Sequence, residues 1–162
     1  MVEQGWQIEA VAGEEQGVLP VVTGGDFEGF LRSTGKDVAR AGTRAGLFHP
    51  LTSYSVPDSV RFALAVADQT EVDGESLSVM SEEWSRKHWK ASKFYRDLSA
   101  LLFVAAEPAK RFKVLERFYR LDPRLIERFY AGRSRALDKL RVLVGKPPVP
   151  MTKAMAVRSE EH

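Results

Sequence analysis

Cysteine is absent from this sequence of 162 residues, and histidine occurs only three times. Without thiols the chain can form no disulfide framework and can offer no thiolate to a metal ion or to a covalent catalytic step. The three histidines, His49, His88 and His162, lie too far apart in sequence for the closely spaced ligand pairs typical of zinc sites. We therefore predict no metal site.

Long hydrophobic runs are also missing. The longest apolar stretch, residues 98–106, includes Ser99 and falls far short of the roughly 20 residues that a membrane-spanning helix needs. The amino-terminal residues lack the basic and apolar regions of a signal peptide. Because 44% of the residues are hydrophobic, a chain of this length can bury roughly 70% of its unfolded surface in one domain.

Charge is distributed unevenly along the chain. Six acidic residues and no basic one precede Arg32, whereas twelve bases and four acids lie between Lys110 and Lys146, a net charge of +8. Such a segment can face water, an anionic membrane surface or nucleic acid. The bases stand largely between apolar positions, which favours a solvated face, and no RNA-binding signature accompanies them. A small basic helical module that binds an anionic membrane or nucleic acid is one functional hypothesis.

Residues 1–75 are predicted to form strands and turns that lead into a helix. The β-branched run at residues 17–23, closed by two glycines, predicts a short strand, and residues 45–48 predict a second one that ends before Pro50. A helix is predicted after Ser55, which would cap it through its hydroxyl group. Its core-facing residues are predicted to be Val60, Leu64 and Ala67.

Residues 76–150 are predicted to be helical, and residues 151–162 to form a mobile tail. Asp122 and Pro123 form an N-cap signal, and Gly145 a stop signal. The aromatic side chains at helical spacing are predicted to pack in a core. These aromatics are Phe94, Phe112, Phe118 and Phe129. The predicted helices cover residues 78–105 as one or two helices, then 112–119, 124–130 and 136–144.

Four sequence blocks occur in a definite order: EEQGVLP at 14–20, RAGLFHPLTSYS at 44–55, RFYAG at 128–132 and GKPPVP at 145–150. Through these blocks the chain resembles the carboxy-terminal part of bacterial lycopene β-cyclases over about residues 4–150. That family's proteins are more than twice as long, so the resemblance implies a fragment of a flavoprotein. The implied fold class is α/β, rich in helix: the carboxy-terminal portion of a Rossmann-like fold that binds FAD and NAD(P), with a helical substrate-side region.

The resemblance also implies an activity, the redox-neutral, acid-catalysed cyclisation of the ψ-ends of lycopene to β-ionone rings, towards γ- and β-carotene. Protonation of the terminal double bond creates a carbocation, which the neighbouring double bond attacks before a proton is lost. Reduced FAD, kept reduced by NAD(P)H, would stabilise the cationic transition state electrostatically. The implied location is cytoplasmic and peripheral on the cytoplasmic membrane, with lycopene as substrate and no nucleic acid partner.

Residues 47–55 carry the chemistry that the resemblance implies. A helix amino terminus presents unpaired N–H groups and a partial positive charge, and in the family this element faces the pyrimidine edge of the flavin. In the family the turn reads TTGYS, whereas this chain has LTSYS. Ser53 replaces a glycine that allows positive φ, so we expect weaker flavin binding. The implied cofactor-binding residues are His49, Pro50, Thr52, Ser53 and Tyr54.

Glu15 is the candidate catalytic acid. A carboxyl group in an apolar pocket can stay protonated at neutral pH and donate a proton to an alkene. Adjacent strand residues point to opposite faces, so only one of Glu14 and Glu15 would face such a pocket, and we choose Glu15. The alternative is that both are surface acids before a turn.

The sequence lacks the GxGxxG fingerprint that binds the ADP half of FAD. In the family that unit, and an acidic motif regarded as the catalytic acid, lie upstream of the matching region. We therefore expect this chain alone not to cyclise lycopene. It would be a truncated frame or remnant, or one half of a split enzyme whose separate amino-terminal half binds the nucleotide.

Overall fold

The computed structural model describes residues 9–10, 12–35 and 37–144, and these residues are rich in helix. The predicted tail at 151–162 and the stop signal at Gly145 lie outside the described residues. No described helix is both long and apolar enough to cross a lipid bilayer. The described α-helices are α1 (Phe27–Ser33), α2 (Val56–Ala67), α3 (Gly74–Ala91), α4 (Lys93–Ala100), α5 (Arg111–Phe118), α6 (Pro123–Tyr130) and α7 (Ala136–Leu143).

The two predicted strands are wrong, since the described residues contain no β-strand. At residues 17–23, Val18 is 96% exposed, and one hydrogen bond joins the backbone to that of a distant segment, from Val22 N to Pro50 O at 2.9 Å. A β-branched run forms a strand only where a neighbouring strand satisfies its backbone. Residues 42–45 instead form a 3₁₀ turn that ends at Gly46, which has φ +68°. The described part is α-rich rather than α/β.

The segment predicted as one or two helices over 78–105 forms two helices followed by a π-helical turn. The break between α3 and α4 lies at Ser92, whose N–H group donates to His88 O at 2.9 Å. Arg96 Nη1 fixes this break by donating to Trp89 O at 2.5 Å and to Ser92 Oγ at 2.8 Å. Residues 101–105 form the π-helical turn, which ends before Pro108 as predicted.

The start of α6 confirms the capping prediction. Asp122 Oδ1 accepts a hydrogen bond from Leu125 N at 3.1 Å, and Pro123 occupies the first helical position, where no N–H group is needed. The cap orients α6 so that Leu125 and Phe129 are buried. Phe129 contacts Phe118 with ring centroids 4.7 Å apart. These two aromatics pack as predicted.

Two other packing predictions are wrong. Phe112 on α5 is 59% exposed. On α2 the three residues predicted to face the core are also exposed: Val60, Leu64 and Ala67. The buried face of α2 carries Asp58 and Phe62 instead. Phe62 packs with Ala45 and Leu47 in a buried cluster, with Val66, Met80 and Trp84 against it. Because α2 has apolar residues on both faces, its sequence does not identify the buried one.

Helix α7 is fixed to α6 by an ion pair. Arg128 Nε and Nη2 donate to the two carboxylate oxygens of Asp138 at 2.7 Å each, and the same carboxylate accepts from Arg135 N at 2.9 Å. The Asp138 side chain is only 5% exposed. This bidentate geometry with Arg128 is the main reason that the pKa of Asp138 lies below its ordinary value of 3.8.

We expect Asp138→Asn to lower the melting temperature at neutral pH, because the amide turns an N–H donor towards the Arg128 guanidinium. The pKa of Asp138 is lower in the folded protein than its ordinary value of 3.8, which applies to the unfolded chain. The ion pair with Arg128 therefore stabilises the protein fully above pH 3.8, and this stabilisation is lost as the pH falls below that value. The melting-temperature gap between the wild type and Asp138→Asn should therefore shrink below about pH 4.

Asp97→Asn is the matched control for that measurement. Asp97 is half-exposed and pairs with Lys93 at 2.8 Å on the protein surface. Exposed pairs of this kind contribute little to stability, so Asp97→Asn should leave the melting temperature nearly unchanged. An equal effect of both substitutions at neutral pH would contradict the importance of the Asp138 pair.

Candidate functional site

The block at residues 49–55 folds into a closed turn. His49 N donates to Tyr54 O at 2.9 Å, and Ser53 N donates to His49 O at 2.8 Å. Ser53 has φ +58°, in the left-handed region. The serine thus adopts the backbone conformation for which the resemblance predicts a glycine, at a cost that glycine does not have. Thr52 Oγ1 accepts from Tyr54 N at 3.4 Å within the same turn.

The turn is held from outside by the end of the EEQGVLP block. Ser53 Oγ donates to Pro20 O, and Val22 N donates to Pro50 O at 2.9 Å. The Ser53 hydroxyl therefore forms a contact that glycine could not make. Sequence reasoning missed this contact, because no local signal joins residues 33 positions apart.

The turn leads directly into the amino terminus of α2. Ser55 occupies the N-cap position but makes no capping hydrogen bond, so the predicted hydroxyl cap is wrong. A helix start without a side-chain cap leaves backbone N–H groups for water or a ligand. In the first turn, buried Asp58 accepts from Arg61 Nη2 at 2.6 Å, and its carboxylate lies 3.4 Å from His88 Nδ1.

His49 anchors the turn to the helices. It is only 2% exposed, and its ring contacts Tyr95 and Phe129 at centroid distances of 4.4 and 5.1 Å. Its Nδ1 accepts from Leu51 N at 3.3 Å. The buried Nε2 has no hydrogen bond of good geometry, although the Phe129 carbonyl group slightly favours the protonated ring. Burial lowers the pKa of His49 from 6.5 to about 4, so the ring is neutral at neutral pH.

Two clefts adjoin the turn. One, of about 370 Å³, lies between α1 and α3 and is mainly apolar. The other, of about 280 Å³, is lined by polar and charged groups that include Asp58, Arg61 and Lys87. Pro50, His88 and Ser92 line both clefts. The turn therefore lies between an apolar cleft and one whose lining includes charged groups.

The predicted site residues are not all brought together. His49, Pro50, Thr52, Ser53 and Tyr54 share one turn, and Tyr54 contacts Tyr130 with ring centroids 6.3 Å apart. Glu15 is exposed and lines neither of these clefts. Its role as an acid stays a prediction.

A comparison against protein families agrees with the resemblance that the sequence blocks carry. A family model described as lycopene cyclase protein matches residues 1–156. The chain belongs to the lycopene cyclase family. No solved structure matches the chain significantly.

Three curated relatives of this lycopene cyclase family member carry the name lycopene beta-cyclase. The protein from Pseudescherichia vulneris is 42% identical over 93% of the chain, and the one from Pantoea ananas is 39% identical over 99%. A protein from a Paracoccus species is 37% identical over 94% of the chain. These matches cover only 39%, 41% and 40% of the respective relatives. The chain thus spans about two fifths of their length.

Membership of this family favours the enzyme hypothesis over a basic binding module. The structure also gives several bases of the positive segment local partners. Arg128 pairs with Asp138, Arg120 with Glu116, and Lys110 with Glu107. These basic side chains already contact carboxylates of the protein, whereas a nucleic acid site depends on cations that are free to contact phosphates.

The strained conformation of Ser53 gives a prediction about stability. Both Ser53→Gly and Ser53→Ala remove the hydroxyl bond to Pro20, but only glycine relieves the left-handed backbone. We expect Ser53→Gly to be more stable than Ser53→Ala by about 1 kcal/mol in chemical denaturation. Exposed Ser59 inside α2 is the matched control. There alanine should exceed glycine by about 1 kcal/mol. The same order of stability at both positions would contradict the assigned backbone conformation.

The buried His49 ring gives a prediction about pH. The pKa of His49 is about 4 in the folded state, against 6.5 for the ordinary imidazole of the unfolded state. Protonation therefore favours the unfolded state, so the free energy of unfolding has its full value above pH 6.5 and decreases as the pH falls towards 4. His49→Asn should destabilise the protein at neutral pH by removing ring contacts. Its stability gap to the wild type should narrow by about 2 kcal/mol between about pH 7 and pH 5.

Tyr95→Phe serves as the control for the pH experiment. Tyr95 is a neighbour of His49, and the substitution removes only its hydroxyl group. That hydroxyl accepts a hydrogen bond from Ser134 N at 3.0 Å. Its stability gap to the wild type should stay constant over the same pH range. Denaturant titrations at both pH values measure the two gaps, and a constant gap for His49→Asn would show that the ring is not held neutral.

Proposed function

We propose that this chain supplies the carboxy-terminal part of a lycopene β-cyclase and acts together with an amino-terminal part that binds the nucleotide of FAD. The observation that carries the proposal is the closed turn at residues 49–54, which leads into the helix start of α2 that Ser55 leaves uncapped. The names of the relatives support the activity, and their length supports the need for a second part. The whole protein would have the Rossmann-like fold that the resemblance implies.

The turn fits the ring of a flavin in two respects. Ser53 already has the left-handed backbone of the family's glycine, and the α2 amino terminus favours negative charge. The sequence has no glycine-rich fingerprint to hold the phosphates, so that function falls to the amino-terminal part. When bound, FAD reduced by NAD(P)H would supply negative charge that stabilises the cationic transition state.

The chain's own residues would orient the flavin ring and exclude water from it. His49 holds the turn against Tyr95 and Phe129, and its neutral ring adds no positive charge beside a developing cation. Glu15 remains the candidate proton donor through the family resemblance. Its carboxyl group is exposed here, so the amino-terminal part would have to bury it for it to stay protonated at neutral pH.

The outer face of α2 is the proposed contact with the amino-terminal part. Val56, Val60 and Leu64 are exposed there and lie on the helix that begins at the turn. About three fifths of each relative's length lies outside its match to the chain. For the assembled protein we propose a cytoplasmic location at the membrane surface, where its bases would face anionic lipid.

Co-expression in lycopene-accumulating cells tests the proposed function. The chain would be combined with the part of the Pseudescherichia vulneris relative that precedes the matching region, and carotenoids would be separated by chromatography. We expect β- or γ-carotene from the combination and unchanged lycopene from either part alone. Cyclised product from this chain alone, or none from the combination although both parts accumulate, would contradict the proposal.

The α2 interface gives a separate prediction. Val60→Asp should abolish association with the amino-terminal part and the cyclised product, because it buries an unpaired carboxylate. The isolated chain should keep its melting temperature within about 2 °C, since the side chain faces solvent there. Ser59→Asp, the exposed polar neighbour, is the control and should leave association intact. Equal association of the two variants in a pull-down would contradict this interface.

A further inference from the structure

The apolar cleft between α1 and α3 has the lining of a hydrocarbon site. The rings of Phe27 and Trp89 stack in parallel with centroids 4.6 Å apart and form its floor. Phe30 continues the stack from Phe27 at 5.9 Å. Val22 and Phe48 contribute further apolar surface. Aromatic and aliphatic walls of this kind offer a ligand dispersion contacts and removal from water.

Several of the polar groups around this cleft already have partners in the protein. His88 Nε2 lies 3.1 Å from Phe48 O, and Ser92 Oγ donates to Trp89 O at 3.2 Å. Asp26 caps α1 by accepting from Gly29 N at 2.8 Å. A polar ligand would have to compete with these bonds, whereas a hydrocarbon would leave them intact. The lining therefore selects against polar ligands.

The position of the cleft links it to the turn. Pro50 belongs to the turn and lines the cleft, and the bond from Val22 N to Pro50 O fixes the opposite wall. A volume of about 370 Å³ lies at the lower end of the roughly 300–1,000 Å³ found for small-molecule sites. It accommodates the end of a long hydrocarbon rather than the whole molecule.

We propose that this cleft binds the branched end of an isoprenoid chain and that Val22 and Phe30 limit the shape it accepts. The inference rests on the proposed function for the identity of the hydrocarbon, but the binding itself needs neither flavin nor a second polypeptide. Phe30 lies partly exposed at the α1 side of the cleft, and half-buried Val22 faces it from the preceding segment. A ligand end beside Pro50 lies next to the turn that would face the flavin.

Two ketones with thirteen carbons, each used below its solubility limit in water, test the cleft on the purified full chain. Geranylacetone carries the branched isoprenoid end, and 2-tridecanone is its linear counterpart. Binding would be measured by ligand-observed NMR titration. We expect geranylacetone to bind at least threefold more tightly than 2-tridecanone. No detectable binding of geranylacetone, or equal binding of the two ketones, would overturn the proposal.

A substitution that fills the cleft locates the binding. Val22→Trp keeps the backbone bond to Pro50 and should weaken geranylacetone binding at least tenfold. Val79→Trp, at an exposed position of α3 outside both clefts, should leave the affinity unchanged. Thr43→Phe fills the cleft from an exposed position on its rim and replaces Val22→Trp if circular dichroism shows that the latter does not fold. Unchanged affinity in a folded cleft-filling variant would overturn the assignment.

The experiments distinguish failure of the cleft proposal from failure of the proposed function. If the wild-type chain binds geranylacetone in this cleft but gives no carotene with the amino-terminal part, the cleft stands and the proposed function fails. If Val22→Trp supports cyclisation at the wild-type rate, the proposed function stands and the cleft is not the site of the reacting end.

Discussion

Burial of His49 between Tyr95 and Phe129 is the contact on which the rest of the site depends. These three side chains come from the turn, α4 and α6, and their rings lie within 5.3 Å of one another. The contact fixes one end of the turn to the helices, while Pro20 and Val22 hold it from the other side. Removal from water keeps the imidazole neutral, so the core gains an aromatic contact without a buried charge.

Fixing the turn in this way places Pro50 between two clefts of different character. Asp58, Arg61 and His88 form a polar network on one side, and the Phe27 and Trp89 rings form an apolar wall on the other. In the proposed function, a flavin edge and the end of a hydrocarbon would meet beside this turn. Charge is most effective beside a reacting group when it is preorganised and shielded from water.

Local signals in the sequence predicted local structure well. Asp122 followed by Pro123 identified the start of α6, because a cap acts within one turn of the chain. Four ordered blocks, at residues 14–20, 44–55, 128–132 and 145–150, identified the family. The predicted strands failed because a strand depends on a partner that local sequence does not specify. The buried face of α2 was assigned wrongly because Val60 and Phe62 are both apolar and lie on different sides of the helix.

The tertiary features of the site could not be predicted from local pattern. Nothing near Ser53 indicates that its hydroxyl group contacts Pro20, and nothing near His49 indicates that helices α4 and α6 enclose it. From the sequence, serine at position 53 in place of the family's glycine was expected only to weaken flavin binding. In the structure Ser53 bears the backbone strain but also gains a bond to the neighbouring segment.

We propose that this chain provides the ring-facing part of a flavin site that a second polypeptide completes. The most direct measurement is the flavin absorbance of protein purified through a tag on this chain, with and without the co-expressed amino-terminal part. We expect a flavin spectrum for the complex and none for the chain alone. A complex that assembles fully without flavin, or a chain that retains flavin by itself, would contradict it.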